Sequence, residues 1–166
     1  DYAGLKINTG QAWNLAPTLV TPSAREGSAV WTQDGILLDR IMIIPAVPSG
    51  ESIFVTTEDS QALPVFKSDM LPNEIEELTE SSIVKLFTEG EVAVNTTNLR
   101  PHRFGENDGV LFDILVTVSD GPNYQGAVGA QVVDEKLYLV FFLGAQPYYY
   151  EKHLDEALVI IKGARV

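Results

Sequence analysis

The chain has 166 residues, and 23 acidic side chains against 11 basic ones give it a formal net charge of −12. This charge repels phosphate backbones and leaves no basic surface for nucleic acid. The absence of cysteine excludes disulfides, thiolate metal sites and cysteine nucleophiles. No apolar stretch of the sequence approaches the roughly 18 residues of a membrane span. At this length we expect a single domain over residues 1–166.

Short strands are predicted in the first third of the chain. Residues 12–20 and 28–33 each contain a tryptophan among apolar residues, and residues 36–45 are largely apolar and β-branched, interrupted by Asp39 and Arg40. Residues 48–63 are rich in polar and turn-forming types. We therefore expect a long surface loop at 48–63, with one strand near 53–55.

A helix is predicted to begin in the segment Leu71-Pro72-Asn73-Glu74. Asn73 is suited to the N-cap, and the acidic residues that follow complement the positive end of the helix dipole. Apolar residues then recur at helical spacing as far as Phe87, and Gly90 lies where the pattern ends.

The hydrophobic period changes to two after Gly90. A strand is predicted from Val92, followed by an irregular segment at 98–104 and a hairpin connection at 105–109. Three more strands follow at 110–118, 124–133 and 136–144. The last of them is apolar on both faces, which is typical of a central strand. A closing helix over residues 147–162 carries one apolar stripe.

This order of elements predicts an α+β fold. Antiparallel strands with two well-separated amphipathic helices favour a three-layer α/β/α sandwich, in which a central antiparallel sheet has one main helix on each face.

The same order resembles the PsbP-like superfamily, which includes an extrinsic subunit of photosystem II and a nuclear-import cofactor that binds the Ran GTPase. The stretches that carry the resemblance are 30–35 with Leu38-Asp39-Arg40, then 69–74, the strand at 137–143 and the helix that precedes Ala164-Arg165-Val166. The chain is most similar to uncharacterised bacterial envelope proteins, many of them lipoproteins.

The resemblance implies a non-enzymatic binding or assembly protein of the bacterial periplasm or cell envelope. It allows a lipid-anchored cysteine upstream of Asp1. It transfers no metal, cofactor or partner motif to any position of this chain, so no cofactor is expected.

Arg100, His102 and Arg103 form the densest positive charge in the sequence. A histidine between arginines could act as a general base or as part of an anion-binding patch. The alternative is an ordinary solvated loop before a hairpin.

Asp113 is a carboxylate within an apolar strand. A buried carboxylate would have a raised pKa and could be catalytic. The alternatives are an ion pair with Arg40 or Arg103 and an edge position that faces water, and the ion pair is favoured because an isolated buried charge is costly. Catalysis by Asp113 and His102 would require them to lie within one hydrogen bond or one bridging water of each other.

Three consecutive tyrosines open the last helix, and only Tyr150 lies on its apolar stripe. Tyr148 and Tyr149, with His153 one turn later, are candidates for a partner or ligand surface, because exposed aromatic residues with polar tips are common there. The alternative is that they pack beneath the loop at 48–63.

Two main hypotheses for function follow. The first is a module that binds an unknown protein partner in the cell envelope or helps to assemble a complex. The second is a small-ligand-binding protein with a pocket between the sheet and the 48–63 loop, and with Tyr148, Tyr149 and Arg103 at its mouth. An enzyme that uses Asp113 and His102 is a third hypothesis with the least support.

Overall fold

The structure is a computed structural model that describes residues 1–56 and 62–166, and these residues form an α+β fold. Seven antiparallel strands make one sheet in the order β1-β2-β3-β7-β6-β5-β4, so β7 is its central strand, as its sequence predicts. The strands are β1 (Asn14–Leu15), β2 (Ala29–Thr32), β3 (Asp39–Pro48), β4 (Val92–Phe104), β5 (Asn107–Val118), β6 (Tyr124–Val133) and β7 (Lys136–Ala145). The helices are α1 (Pro72–Val84) and α2 (Tyr148–Gly163).

Successive side chains of β3, β5, β6 and β7 point to opposite faces of the sheet and enter two separate hydrophobic clusters. On β7, for example, Phe141 belongs to one cluster and Phe142 to the other. The α1-side cluster includes Leu78 of α1, and the α2-side cluster includes Ile161 of α2. Burial of both faces explains why β7 is apolar along its whole length.

Glycine residues in the sheet allow α2 to lie unusually close to the strands beneath it. A Cβ added at Gly144 would lie 2.7 Å from the backbone of Tyr150, and one at Gly129 would lie 2.6 Å from Ile161 Cγ2. A larger residue at Gly144 would displace the backbone of α2, and one at Gly129 would displace the Ile161 side chain, so both glycines contribute to the close packing of α2 on the sheet.

The edge strand β4 is longer than the sequence predicts. Residues 98–104, predicted to be irregular, continue the strand after an interruption in register between Thr97 and Arg100. Asn98 lies at this point with a positive φ of 58°. The bulge breaks the alternation of side chains, which is why the pattern does not read as a strand. Pro101 is tolerated because the strand lies at the edge of the sheet.

Three predictions in the first half of the chain were also wrong. Residues 12–20 contain only the two-residue β1 and a short 3₁₀ helix at Thr18–Val20, and β3 begins three residues later than expected. Residues 53–55 form no strand. Ile53 and Phe54 are nevertheless buried in the α1-side cluster, so their apolar character reflects packing. Residues 57–61 of the predicted loop lie outside the described residues.

The start and end of α1 also differ from the prediction. Asn73 lies inside the helix, and Leu71 is the N-cap. The backbone N–H of Leu71 donates to Glu74 Oε2 at 2.6 Å, so a carboxylate in the first turn stabilises this end. The helix ends at Val84, before Phe87. None of the helices in the described part of the chain is long and apolar enough to cross a membrane.

Candidate functional site

An apolar cleft of about 220 Å³ opens on the α1 side of the sheet. Its floor is formed by side chains of β3 and β7, and one wall by the end of α1 and the turn that follows it. The opposite wall is the segment 20–24 that precedes β2. The apolar residues that line it include Val20, Val30, Met42, Phe54, Ile83, Leu86, Phe87, Phe141 and Leu143.

Arg40 of β3 lines this cleft, which we call the Arg40 cleft. Its Nη1 donates to the carbonyl of Ile36 at 3.0 Å, and its guanidinium lies 5.1 Å from the centre of the Tyr124 ring. The Tyr124 hydroxyl donates to the carbonyl of Leu37 at 2.7 Å, which fixes the ring beneath the cation. Burial lowers the pKa of Arg40, because the charged form is poorly hydrated.

No carboxylate in residues 1–56 and 62–166 forms an ion pair with Arg40. The basic partners of the ion pairs in this part of the chain are Arg25, Arg100, Lys152 and His153. The prediction that Asp113 pairs with Arg40 or Arg103 is therefore wrong: its Oδ1 lies 3.2 Å from Arg100 Nη1. Arg100 reaches Asp113 because it lies on β4, the strand that pairs with the β5 strand carrying Asp113.

Exposed apolar side chains lie at the mouth of the Arg40 cleft. Val20 and Phe87, which line it, are 50% and 37% exposed. Two sequence neighbours of lining residues are also exposed: Leu19 is 89% exposed, and Leu37, next to Ile36, is 71% exposed. An apolar cleft with an apolar rim is typical of a binding site.

A second polar cluster lies at the turn between β2 and β3. Asp39, fully buried, accepts hydrogen bonds from the backbone N–H groups of Gln33 (2.8 Å) and Asp34 (2.7 Å) and from the Thr32 hydroxyl (3.4 Å). These donors satisfy its carboxylate and fix the turn. Asp39 is therefore structural.

Asp34 connects this turn to α2. It accepts hydrogen bonds from Lys152 Nζ at 2.7 and 2.8 Å and from His153 Nε2 at 2.6 Å. These contacts hold the pKa of Asp34 below its ordinary value. The side chains of Asp34, Asp39 and His153 lie close enough together to resemble a metal site. Their oxygens already accept from protein donors, and the Lys152 ammonium lies where a cation would bind.

His153, predicted to be at a binding surface, is only 3% exposed and packs against Trp13 with ring centres 5.7 Å apart. The three tyrosines before it have different environments. Tyr148 is 63% exposed, Tyr149 packs against the α1-side cluster, and Tyr150 packs against the α2-side cluster. Burial, with Asp113 and Glu151 nearby, raises the pKa of Tyr150.

Arg100, His102 and Arg103 all lie on β4 but contact different groups. Arg100 pairs with Asp113, and Arg103 Nη2 donates to the carbonyl of Glu106 at 3.4 Å. His102 Nε2 donates to the carbonyl of Lys162 at 3.2 Å, near the C-terminal end of α2. His102 therefore lies near the C-terminal end of α2, whereas Tyr148 begins this 16-residue helix, which is about 24 Å long.

None of the six candidate residues lines the Arg40 cleft. Sequence analysis missed this site because its walls come from segments more than sixty residues apart, around Val20 and Phe87. One signal was present in the sequence: Arg40 interrupts an otherwise apolar strand, and a charge in such a position requires an ion-pair partner or indicates a binding role.

Comparison with known proteins identifies a fold. No protein-family model matches the chain, and no curated protein matches it in sequence. Among solved structures, the chain is similar to the solution structure of cyanobacterial PsbP (CyanoP) from Synechocystis, with a TM-score of 0.60 and 11% sequence identity. The alignment covers 99% of this chain and 93% of the cyanobacterial one. The chain therefore has a PsbP-like fold.

Proposed function

We propose that this chain is a non-enzymatic binding protein of the bacterial cell envelope that holds a small apolar ligand in the Arg40 cleft. The observation that carries the proposal is the open cleft of about 220 Å³ with its exposed apolar rim. Phe54, which follows β3 in the predicted 48–63 loop, contributes to the lining, as a pocket between this loop and the sheet requires.

The likeness to cyanobacterial PsbP supports an accessory role without catalysis. The contacts of Asp113 and His102 agree with this, since Asp113 binds Arg100 and Asn98 while His102 binds the Lys162 carbonyl. On β4 and β5, Asp113 is opposite Thr97 and His102 is opposite Gly109, which places them about 13 Å apart along the sheet. A shared proton or a single bridging water is therefore not expected between them.

The domain arrangement is part of the proposal. We propose one domain over residues 1–166, arranged as a three-layer α/β/α sandwich. The separate clusters that contain Leu78 and Ile161, fed by alternate residues of β7, support one helix on each face of the sheet. Localisation in the periplasm or at the cell envelope, with a lipid anchor, is supported by the sequence resemblance.

A second candidate function is docking of a protein partner through the N-terminal end of α2. Tyr148 favours it, because this side chain is 63% exposed and has the Lys152 ammonium 5.9 Å from its ring centre. In this candidate, Arg100, His102 and Arg103 would belong to a separate contact surface on the sheet edge.

Binding of a neutral apolar dye tests the first function. N-phenyl-1-naphthylamine should fluoresce more strongly when the protein is added, and Phe87→Asp should weaken its binding because a carboxylate would enter the apolar wall. Val159→Asp is the matched control, since Val159 is 61% exposed on α2 and does not line the cleft. No fluorescence change with the unmodified protein, or equal loss in both variants, would refute ligand binding in the cleft.

A further inference from the structure

Arg40 is unusual in this acidic chain because it is a cation that lies in an apolar cleft without a carboxylate partner among the described residues. Its recorded contacts, the Ile36 carbonyl and the Tyr124 ring, are both neutral. A guanidinium has five N–H donors, so most of its capacity is unused by these contacts. A partly buried charge without a counterion is costly to fold, and an incoming anion would reduce that cost.

The surroundings of Arg40 restrict what this anion can be. Phe54, Ile83 and Leu86 line the same cleft, so the rest of the ligand must be apolar. One guanidinium neutralises one charge, which favours a monoanion over a doubly charged phosphate ester. A volume of about 220 Å³ is below the range of about 300–1,000 Å³ that is typical of small-molecule pockets, so the buried part of the ligand is short.

The net charge of −12 does not prevent this binding. At physiological salt, charges more than about 8 Å apart are largely screened, whereas a direct contact in a poorly hydrated cleft is not. Arg25, beside the lining residue Ala24, is already paired with Glu51, whereas Arg40 itself lines the cleft.

We infer that the Arg40 cleft binds a small amphiphile with one carboxylate, such as a medium-chain carboxylic acid. The ligand's carboxylate pairs with the Arg40 guanidinium in a bidentate contact, and its hydrocarbon chain lies against Phe54, Ile83 and Leu86. The end of the chain reaches the exposed rim at Val20 and Phe87. This inference rests on the proposed function, since it names the head group of the ligand that the cleft holds.

Calorimetric titration with decanoate, decanol and decyl phosphate tests the head group. At about pH 7, where the carboxylic acid is ionised, decanoate should bind roughly tenfold or more tightly than decanol. Decyl phosphate should bind more weakly than decanoate. Equal affinities for decanoate and decanol, or a preference for decyl phosphate, would overturn the inference.

Three arginine variants test whether Arg40 causes the preference for decanoate. Arg40→Met keeps an unbranched side chain, so the variant should still bind decanol. It should bind decanoate about as tightly as decanol, because the guanidinium has been removed. Arg100→Met removes a half-buried arginine outside the cleft and should keep the full preference. Equal effects of the two changes would contradict a role for Arg40. Arg40→Lys, which keeps the charge without the fork, should show an intermediate preference if Arg40→Met does not fold.

The two proposals fail in different ways. If neither the neutral dye nor decanol binds, the cleft is not a ligand site and the proposed function is wrong. If both bind but decanoate has no advantage, the ligand site remains and only the carboxylate inference is wrong.

Discussion

Replacing Gly144 by alanine should move the first turn of α2 away from the sheet. The added Cβ would lie 2.7 Å from Tyr150 Cα, whereas carbon atoms in contact are about 3.5–4.0 Å apart, so a shift of about 1 Å is needed. Overpacking of this kind costs about 1–3 kcal/mol. The lower conformational entropy of alanine offsets roughly 0.5–1 kcal/mol. We expect a net loss of about 1–2 kcal/mol.

Urea and thermal unfolding measure this loss. For a chain of this length, each kcal/mol shifts Tm by about 2–4 °C, so Gly144→Ala should melt about 2–8 °C below the unmodified protein. Gly121→Ala is the control, because its Cβ would lie 3.4 Å from Val118 Cγ1, close to ordinary contact. If Gly144→Ala is as stable as Gly121→Ala, the close approach of α2 to the sheet does not depend on this glycine.

Three further changes test other contacts. At pH 7, Asp34→Asn should lower Tm. The pKa of Asp34 is held below its ordinary 3.8, so the ionised carboxylate stabilises the folded protein fully above about pH 4. This stabilisation is lost as pH falls through the folded-state pKa. A Tm difference between the variant and the unmodified protein that persists in strong acid would contradict this role of Asp34. Glu80→Ala should lower the free energy of urea unfolding by about 1–2 kcal/mol, since this carboxylate accepts a 2.7 Å hydrogen bond from the backbone of the edge strand. The control Glu77→Ala, at an exposed position, should lower it by less than about 0.5 kcal/mol. Equal losses would refute the role of Glu80. Glu135→Gly should stabilise the protein by about 0.5–1 kcal/mol, because Glu135 has a φ of 61°, a left-handed conformation that glycine adopts without strain. The control Glu106→Gly should destabilise the protein. The reverse order of stability would argue against backbone strain at Glu135.

The fold class could be predicted from the sequence because most of its elements have clear periods. β5 alternates between apolar faces from Val110 to Val116, β7 is apolar throughout, and both helices were placed within a few residues. The edge strand β4 was cut short because the bulge at Asn98 shifts the alternation. Ile53 and Phe54 suggested a strand because burial of irregular backbone selects the same apolar residues.

The candidate site was much harder to predict. Tyr148 and Arg103 are exposed, as their sequence context suggests, but His153 lies in a buried contact with Asp34, 119 residues away. The Arg40 cleft joins segments around Val20, Arg40 and Phe87, and no local pattern brings these together. Long-range contacts of this kind depend on the order of strands in the sheet. Hydrophobic periodicity predicts the strands but does not predict their order.

Asp39 and Arg40 are neighbours on β3, yet their side chains enter opposite sides of the sheet, one into a cage of backbone donors and the other into the apolar cleft. A displacement of β3 by one residue along β7 would exchange them. The Asp39 carboxylate would then face the apolar cleft, and the Arg40 guanidinium would face N–H groups that are also donors. Neither charged group would have a suitable hydrogen-bond partner. Two adjacent ions of opposite sign thus make any misaligned pairing of these strands electrostatically unfavourable, independently of what the cleft binds.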